Sequence, residues 1–106
     1  METKSRKPIM VEDYNLKHGK HNKLVFMGVI VEYDKYTEFT LETTKTIIIR
    51  KRFLIKQGCK VTCGTKSYVI SAVAPDRFGP PQFYAKEVVP NKADIEELDA
   101  LSVRLV

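Results

Sequence analysis

Between Thr37 and Phe53 the chain reads TEFTLETTKTIIIRKRF, and its period decides what the chain can fold into. Phe39 and Leu41 fall on one parity, with Glu38, Thr40 and Glu42 on the other. Apolar and polar residues alternating at period two mark a half-buried strand. Beyond Lys45 the odd positions Ile47, Ile49, Phe53 and Ile55 continue the apolar face, interrupted by Lys51, while Thr46, Ile48, Arg50, Arg52 and Leu54 form the other. The pattern predicts one long strand over 37–55 that bends or breaks around 43–45 or 51–53. Arg50 and Arg52 then point away from the core, and the stem of Lys51 snorkels out of it. On this parity Arg50 and Arg52 together tolerate change to Glu. Ile49→Asp unfolds the domain, because an unpaired charge replaces a core residue.

The rest of the chain repeats the theme in short units. KLVFMGVIVEY (23–33) is rich in β-branched and aromatic residues and reads as a strand, with Gly28 a candidate bulge. A turn at 34–36 and a Gly58 turn in KQG follow the same punctuation. CKVTC (59–63) is a short strand, joined by a Gly64-Thr65 hairpin to SYVISAV (67–73), whose Tyr68, Ile70 and Ala72 share a face. APDRFGPP (74–81) carries three prolines and a glycine and reads as an irregular loop. QFYAKEVV (82–89) is another strand. After Pro90, an Asn cap, early acids and Ile95, Leu98 and Leu101 at helical spacing predict a short amphipathic helix. The expected fold is mainly β: a small antiparallel barrel or rolled sheet of five or six strands. It divides into a loose polar N-terminal arm (1–23), the barrel (24–90) and a C-terminal helix or tail (91–106).

At 106 residues, 43% apolar and 29% charged, the chain suits one globular domain with a modest core. The longest apolar runs, such as LVFMGVIV (24–31), are too short to span a bilayer. The charged start METKSRKP has no apolar run behind it, so no secretory signal is expected and the cytoplasm of whatever cell makes the protein is the default compartment. Cys59 and Cys63, four apart on a strand, lie about 13 Å from one another, too far for a disulfide, and read as inward-facing core residues. His18 and His21 sit in a polar stretch and, with these cysteines, match no zinc spacing. The chain contains no GxGxxG, GxxxxGK[ST], nucleophile elbow or HExxH. No enzyme activity, metal or cofactor is expected.

The net charge of +5 is unevenly spread. Residues 45–66 hold Lys45, Arg50, Lys51, Arg52, Lys56, Lys60 and Lys66 and no acid, whereas 24–44 hold Glu32, Asp34, Glu38 and Glu42 against Lys35. The end of the chain adds Asp94, Glu96, Glu97 and Asp99. Two explanations fit: attraction of nucleic acid, or pairing with an acidic face on this or a neighbouring subunit.

From Thr46 to Val73 the layout is an apolar strand ending IIIRKRF, then LIKQGCKV, a Gly hairpin, and the Tyr-x-Ile-x-x-Val strand of SYVISAV. This arrangement resembles the head–tail joining proteins of tailed bacteriophages, also called head-closure, stopper or adaptor proteins. The resemblance implies a virion structural protein assembled in the host cytoplasm, with copies forming a ring beneath the portal and connector. Its partners would be itself, the portal or connector and the tail proteins, close to packaged DNA that the ring helps retain. Arg50, Lys51, Arg52 and Lys56, with Asp76, Arg77 and Phe78 of the Pro-rich loop, are the expected interface with neighbouring subunits. The strand over 37–55 would offer them an edge.

Two other classes compete. A nucleic-acid-binding barrel of the OB or SH3-like kind would use Arg50, Lys51, Arg52, Lys60 and Lys66 with stacking by Phe53, Tyr68, Phe83 and Tyr84, although Phe53 and Tyr68 fall on apolar parities. A phage-encoded regulator would bind a host protein through an exposed strand edge.

Overall fold

The computed structural model describes residues 3–15, 20–51, 53–75, 79–89, 95, 96, 98 and 100. Its framework is a long antiparallel hairpin, β1 (Thr3–Asn15) and β2 (Lys20–Glu32), in continuous register from Thr3↔Glu32 to Asn15↔Lys20. Four shorter strands follow: β3 (Thr37–Leu41), β4 (Lys60–Cys63), β5 (Lys66–Val73) and β6 (Gln82–Val88). In the order β1-β2-β3-β6-β5-β4 they close an antiparallel barrel, the expected fold class. The closing seam is short, pairing Met10–Glu12 of β1 with Lys60–Thr62 of β4.

The expected N-terminal arm is therefore a stave of the barrel. Ile9 and Val11 point into the core and Met10 outward, and all three are fully buried. Of the basic residues that suggested an arm, Arg6 serves its outer surface. Arg6 reaches Glu42 with its Nε 2.8 Å from Oε1 and its NH2 2.7 Å from Oε2, clasping β1 to the end of β3. That contact raises the Arg6 pKa and lowers that of Glu42, in each case first through the side-chain hydrogen bond.

Inside the barrel the period-two readings hold. Phe39 stacks on its cross-strand partner Phe83 at 5.1 Å and meets Tyr68 edge-on at 5.0 Å, with Ile9, Phe26, Leu41 and Ile70 around them. Cys59 and Cys63 are buried and free, as their spacing implies. Gly28 is not a bulge, because its pairing with β1 runs unbroken through it and it forms the end pair of the β2–β3 ladder opposite Leu41. A Cβ there would lie 2.5 Å from Ile9 Cδ1 and 2.8 Å from the Thr40 carbonyl oxygen, so close packing is what glycine permits. The register shift falls instead between Ile70 and Ala72, and it turns Ala72 out of the face it was expected to share with Tyr68 and Ile70.

The predicted long strand over 37–55 does not form. β3 stops at Leu41, and a six-residue helix α1 (Lys45–Arg50) occupies the isoleucine run. The partner strand explains the stop. β6 begins at Gln82, immediately after Pro80 and Pro81, which have no N–H to extend a ladder, and Leu41 N already donates to the Pro81 carbonyl at 3.0 Å. Thr44 then caps the helix, its Oγ1 accepting from Ile47 N at 3.2 Å, while Arg50 complements the negative end of the last turn. The parities invert accordingly. Ile48 is buried at 6% exposure, while Ile47 is 39% and Ile49 72% exposed, so Ile49→Asp is no longer expected to unfold the domain. Arg50 is exposed as expected, and Arg52 lies outside the described residues. Phe53 and Cys59 return to the core, so the segment 42–59 crosses and plugs one end of the barrel.

At the C-terminus Ile95, Glu96, Leu98 and Ala100 carry helical backbone, while Asn91 and Leu101 lie outside the described residues. Leu98 buries itself against Met10 and Val25, a cross-strand pair on the outer face of β1 and β2.

Candidate functional site: an apolar groove beside a basic helix

The crossover leaves apolar surface that the barrel does not use. α1 supplies Ile48 and Ile49, and the extended stretch after it supplies Phe53, Leu54 and Ile55 to one wall of a groove of about 290 Å³. The facing wall is Val73–Pro75 and Pro80–Gln82, the two arms of the β5–β6 connection. Ala74 N donates to the Gln82 carbonyl at 3.0 Å and holds those arms together. Lys45 and Gln82 are the polar side chains in this lining. A pocket for a small molecule normally places several polar groups to orient its ligand. This one offers apolar walls, with Leu54 58% and Val73 43% exposed beside Ile49. Contiguous exposed apolar surface of this kind makes the groove the candidate contact site.

Charge surrounds the groove. Lys45 lies in its wall, and Arg50 and Lys51 are exposed at the end of α1. The other residues expected to form an interface separate. Lys56 lies 3.8 Å from the buried Asp13 of its own barrel. Asp76, Arg77 and Phe78 lie outside the described residues, although Pro75 and Pro80 on either side line the groove. Lys60 stands on β4 in register with Glu12, and Lys66 is 3.7 Å from Glu32 at the other end of the barrel. Arg50, Lys60 and Lys66 thus share no common face. Of the proposed stacking aromatics, Phe53, Tyr68 and Phe83 are core residues, and only Tyr84 reaches the outer surface, against Tyr36.

The sequence reading missed Ile49, Leu54, Val73 and the prolines as one surface. Its available signals were Thr44 as a helix cap and the Pro80-Pro81 pair as the end of β3's ladder.

Burial pushes the Cys63 thiol up to about 11 and raises Cys59 and Tyr68 as well, so all three are protonated at neutral pH. Among the described residues no group of three or more His, Cys, Asp or Glu is placed to hold a metal ion. No helix among them is long and apolar enough to cross a membrane.

Comparison with protein-family models, curated proteins and solved structures finds no match to this chain.

Proposed function

We propose that the protein is a structural component of a phage particle, forming a ring at the head–tail interface that links portal or connector to tail and helps retain packaged DNA. The observation that carries the reading is the groove. A domain with a filled core keeps Ile49, Leu54 and Val73 exposed together, beside Lys45, Arg50 and Lys51. Apolar centres with a polar or charged rim are the anatomy of a protein interface. The resemblance loses its apolar strand at IIIRKRF to α1 and rests on the strand, Gly hairpin and Tyr-x-Ile strand that follow the crossover.

The contact does not run through an edge at 37–55, since α1 replaces that strand. The first half of β1 pairs with β2 alone among the described strands, but it carries Arg6, Lys7 and Pro8, residues that oppose strand addition. The groove is the better surface. The nucleic-acid reading loses three of its four stacking residues to the core and its bases to separate faces.

Size-exclusion chromatography with light scattering, on the protein alone and mixed with a portal–connector ring encoded beside it, tests the reading. Co-elution with that ring is the expected result. A monomer that ignores the ring overturns it, and steeply salt-dependent binding to DNA by that monomer would install the nucleic-acid alternative.

A further inference from the structure

We infer that the outer face of β3, β6 and β5 carries a binding site for a free guanine nucleotide. The site shares no lining residue with the groove and does not depend on the assembly reading.

Strand parity builds it. Glu38 of β3 lies in register with Tyr84 of β6, and Tyr84 with Ala72 of β5. Glu38 and Tyr84 alternate with the inward Phe39 and Phe83, so both stand on the outer face. The register shift between Ile70 and Ala72 sets only a methyl group against Tyr84, and beside it Ser71 Oγ donates to the Tyr84 carbonyl at 3.2 Å. The result is a cleft of about 420 Å³ walled by Lys35, Tyr36, Glu38, Tyr84 and Lys86. Unlike the groove, it gathers charged groups around aromatic rings, as a site that orients a small molecule does.

The rings and the carboxylate select the base. Tyr36 meets Tyr84 edge-on at 5.8 Å and 83°, and is backed by the Tyr33 ring at 4.8 Å. Two rings at right angles make a corner in which a planar heterocycle lies on one and abuts the other. Tyr36 is 40% exposed, so the corner is open to a ligand. Glu38 beside it is an acceptor-only side chain with two oxygens. Guanine presents two neighbouring donors to such a pair, its ring N–H and its exocyclic amine. Adenine and cytosine set an acceptor nitrogen beside their amine, and uracil flanks its single N–H with carbonyls. In each of those cases one carboxylate oxygen faces another acceptor.

The lysines select the phosphate. Lys35 stands in the β2–β3 turn and Lys86 one residue beyond the Thr37↔Ala85 pair, so both lie at the turn end of the cleft. No ion pair among the described residues engages either lysine or Glu38, whereas Lys56 and Lys66 are paired. Two cations at one end match a terminal phosphate, which carries nearly two negative charges, better than a singly charged phosphodiester. At the other end Gln82 Nε2 donates to Thr40 Oγ1 at 3.1 Å, a neutral pair with no cation for a following phosphate. The ligand is therefore a free nucleotide rather than a stretch of strand.

Two-dimensional NMR titrations of the whole chain test this, with amide dispersion establishing that each variant is folded. Guanosine monophosphate should shift amides around Tyr36, Ala72 and Tyr84 and approach saturation at millimolar concentration. Adenosine and cytidine monophosphates should bind at least about tenfold more weakly. Glu38→Gln should lower guanosine monophosphate affinity about tenfold and erase the preference. Lys35→Ala with Lys86→Ala should cost guanosine monophosphate about tenfold and leave guanosine itself unchanged, a split that a merely structural role would not produce. Equal binding of the three nucleotides, an intact preference in Glu38→Gln, or no shifts at millimolar concentration would each overturn the inference. So would a guanine-bearing single strand that perturbs the same amides and binds more tightly than the free nucleotide. Co-elution with the portal–connector ring is a separate measurement, so neither result decides the other.

Discussion

The barrel wall and the crossover at 42–59 are built from the same kinds of apolar residue and use them in opposite ways. In the wall every inward position of β3 is filled: Thr37, Phe39 and Leu41 are all buried, with half-buried Glu38 and Thr40 between them. In the crossover three consecutive isoleucines yield one core residue, Ile48, and leave Ile49 more exposed than many polar side chains. The wall is constrained from both sides by ladders whose register permits no choice of face. The crossover is held instead by a capped six-residue helix and by Ile48, Phe53 and Cys59 in the core, with Ile55 packed against them. Apolar residues that the fold does not bury there are available to a partner, and that is the basis of the functional reading.

The comparison can be broken most forcefully in the wall. Phe39→Ala removes a ring packed between Phe83 and Tyr68 and should cost about 3–5 kcal/mol in urea unfolding. An equal loss from Leu54→Ala would erase the distinction between the regions. In the crossover the anchor should behave like the wall on a smaller scale, with Ile48→Ala losing roughly 2–3 kcal/mol by the same measurement. Gly28→Ala comes next at roughly 1–3 kcal/mol, because the Thr40 carbonyl cannot yield as a side chain would.

Alkaline pH gives a further contrast. Burial raises the Cys63 pKa from 9.0 to about 11, so the folded state holds the thiol proton more tightly than the unfolded chain. The associated stability is present below 9.0 and is lost as pH rises through about 11. Urea midpoints should fall across that window, and Cys63→Ala should flatten the fall. An unchanged slope would place the alkaline sensitivity elsewhere.

The wall was legible because alternation at period two is imposed by the pleat itself, so Phe39, Leu41, Tyr68 and Phe83 could be assigned inward from spacing alone. The Gly58 and Gly64 turns were legible for the same local reason, and both glycines have positive φ. Three features were not. β1 resembled an arm because its inward apolar residues are few and its first half is basic in sequence, and only the partners β2 and β4 make it a stave. A helix of six residues is too short to show a period, and β-branched isoleucines favour the strand that the prolines across the sheet forbid. The groove joins α1 to a loop some thirty residues away in sequence, a proximity that only the closed barrel creates.

The smallest expected effect is also the most informative. Ile49→Asp, titrated with urea beside Ile48→Asp, sets the spare isoleucine against the anchoring one within a single helical turn. The account predicts that Ile48→Asp loses several kcal/mol or fails to fold, while Ile49→Asp stays within about 0.5 kcal/mol of wild type. An Ile49→Asp protein as damaged as its neighbour would mean that Ile49 belongs to the core, and would contradict the claim that this crossover holds its apolar face for a partner.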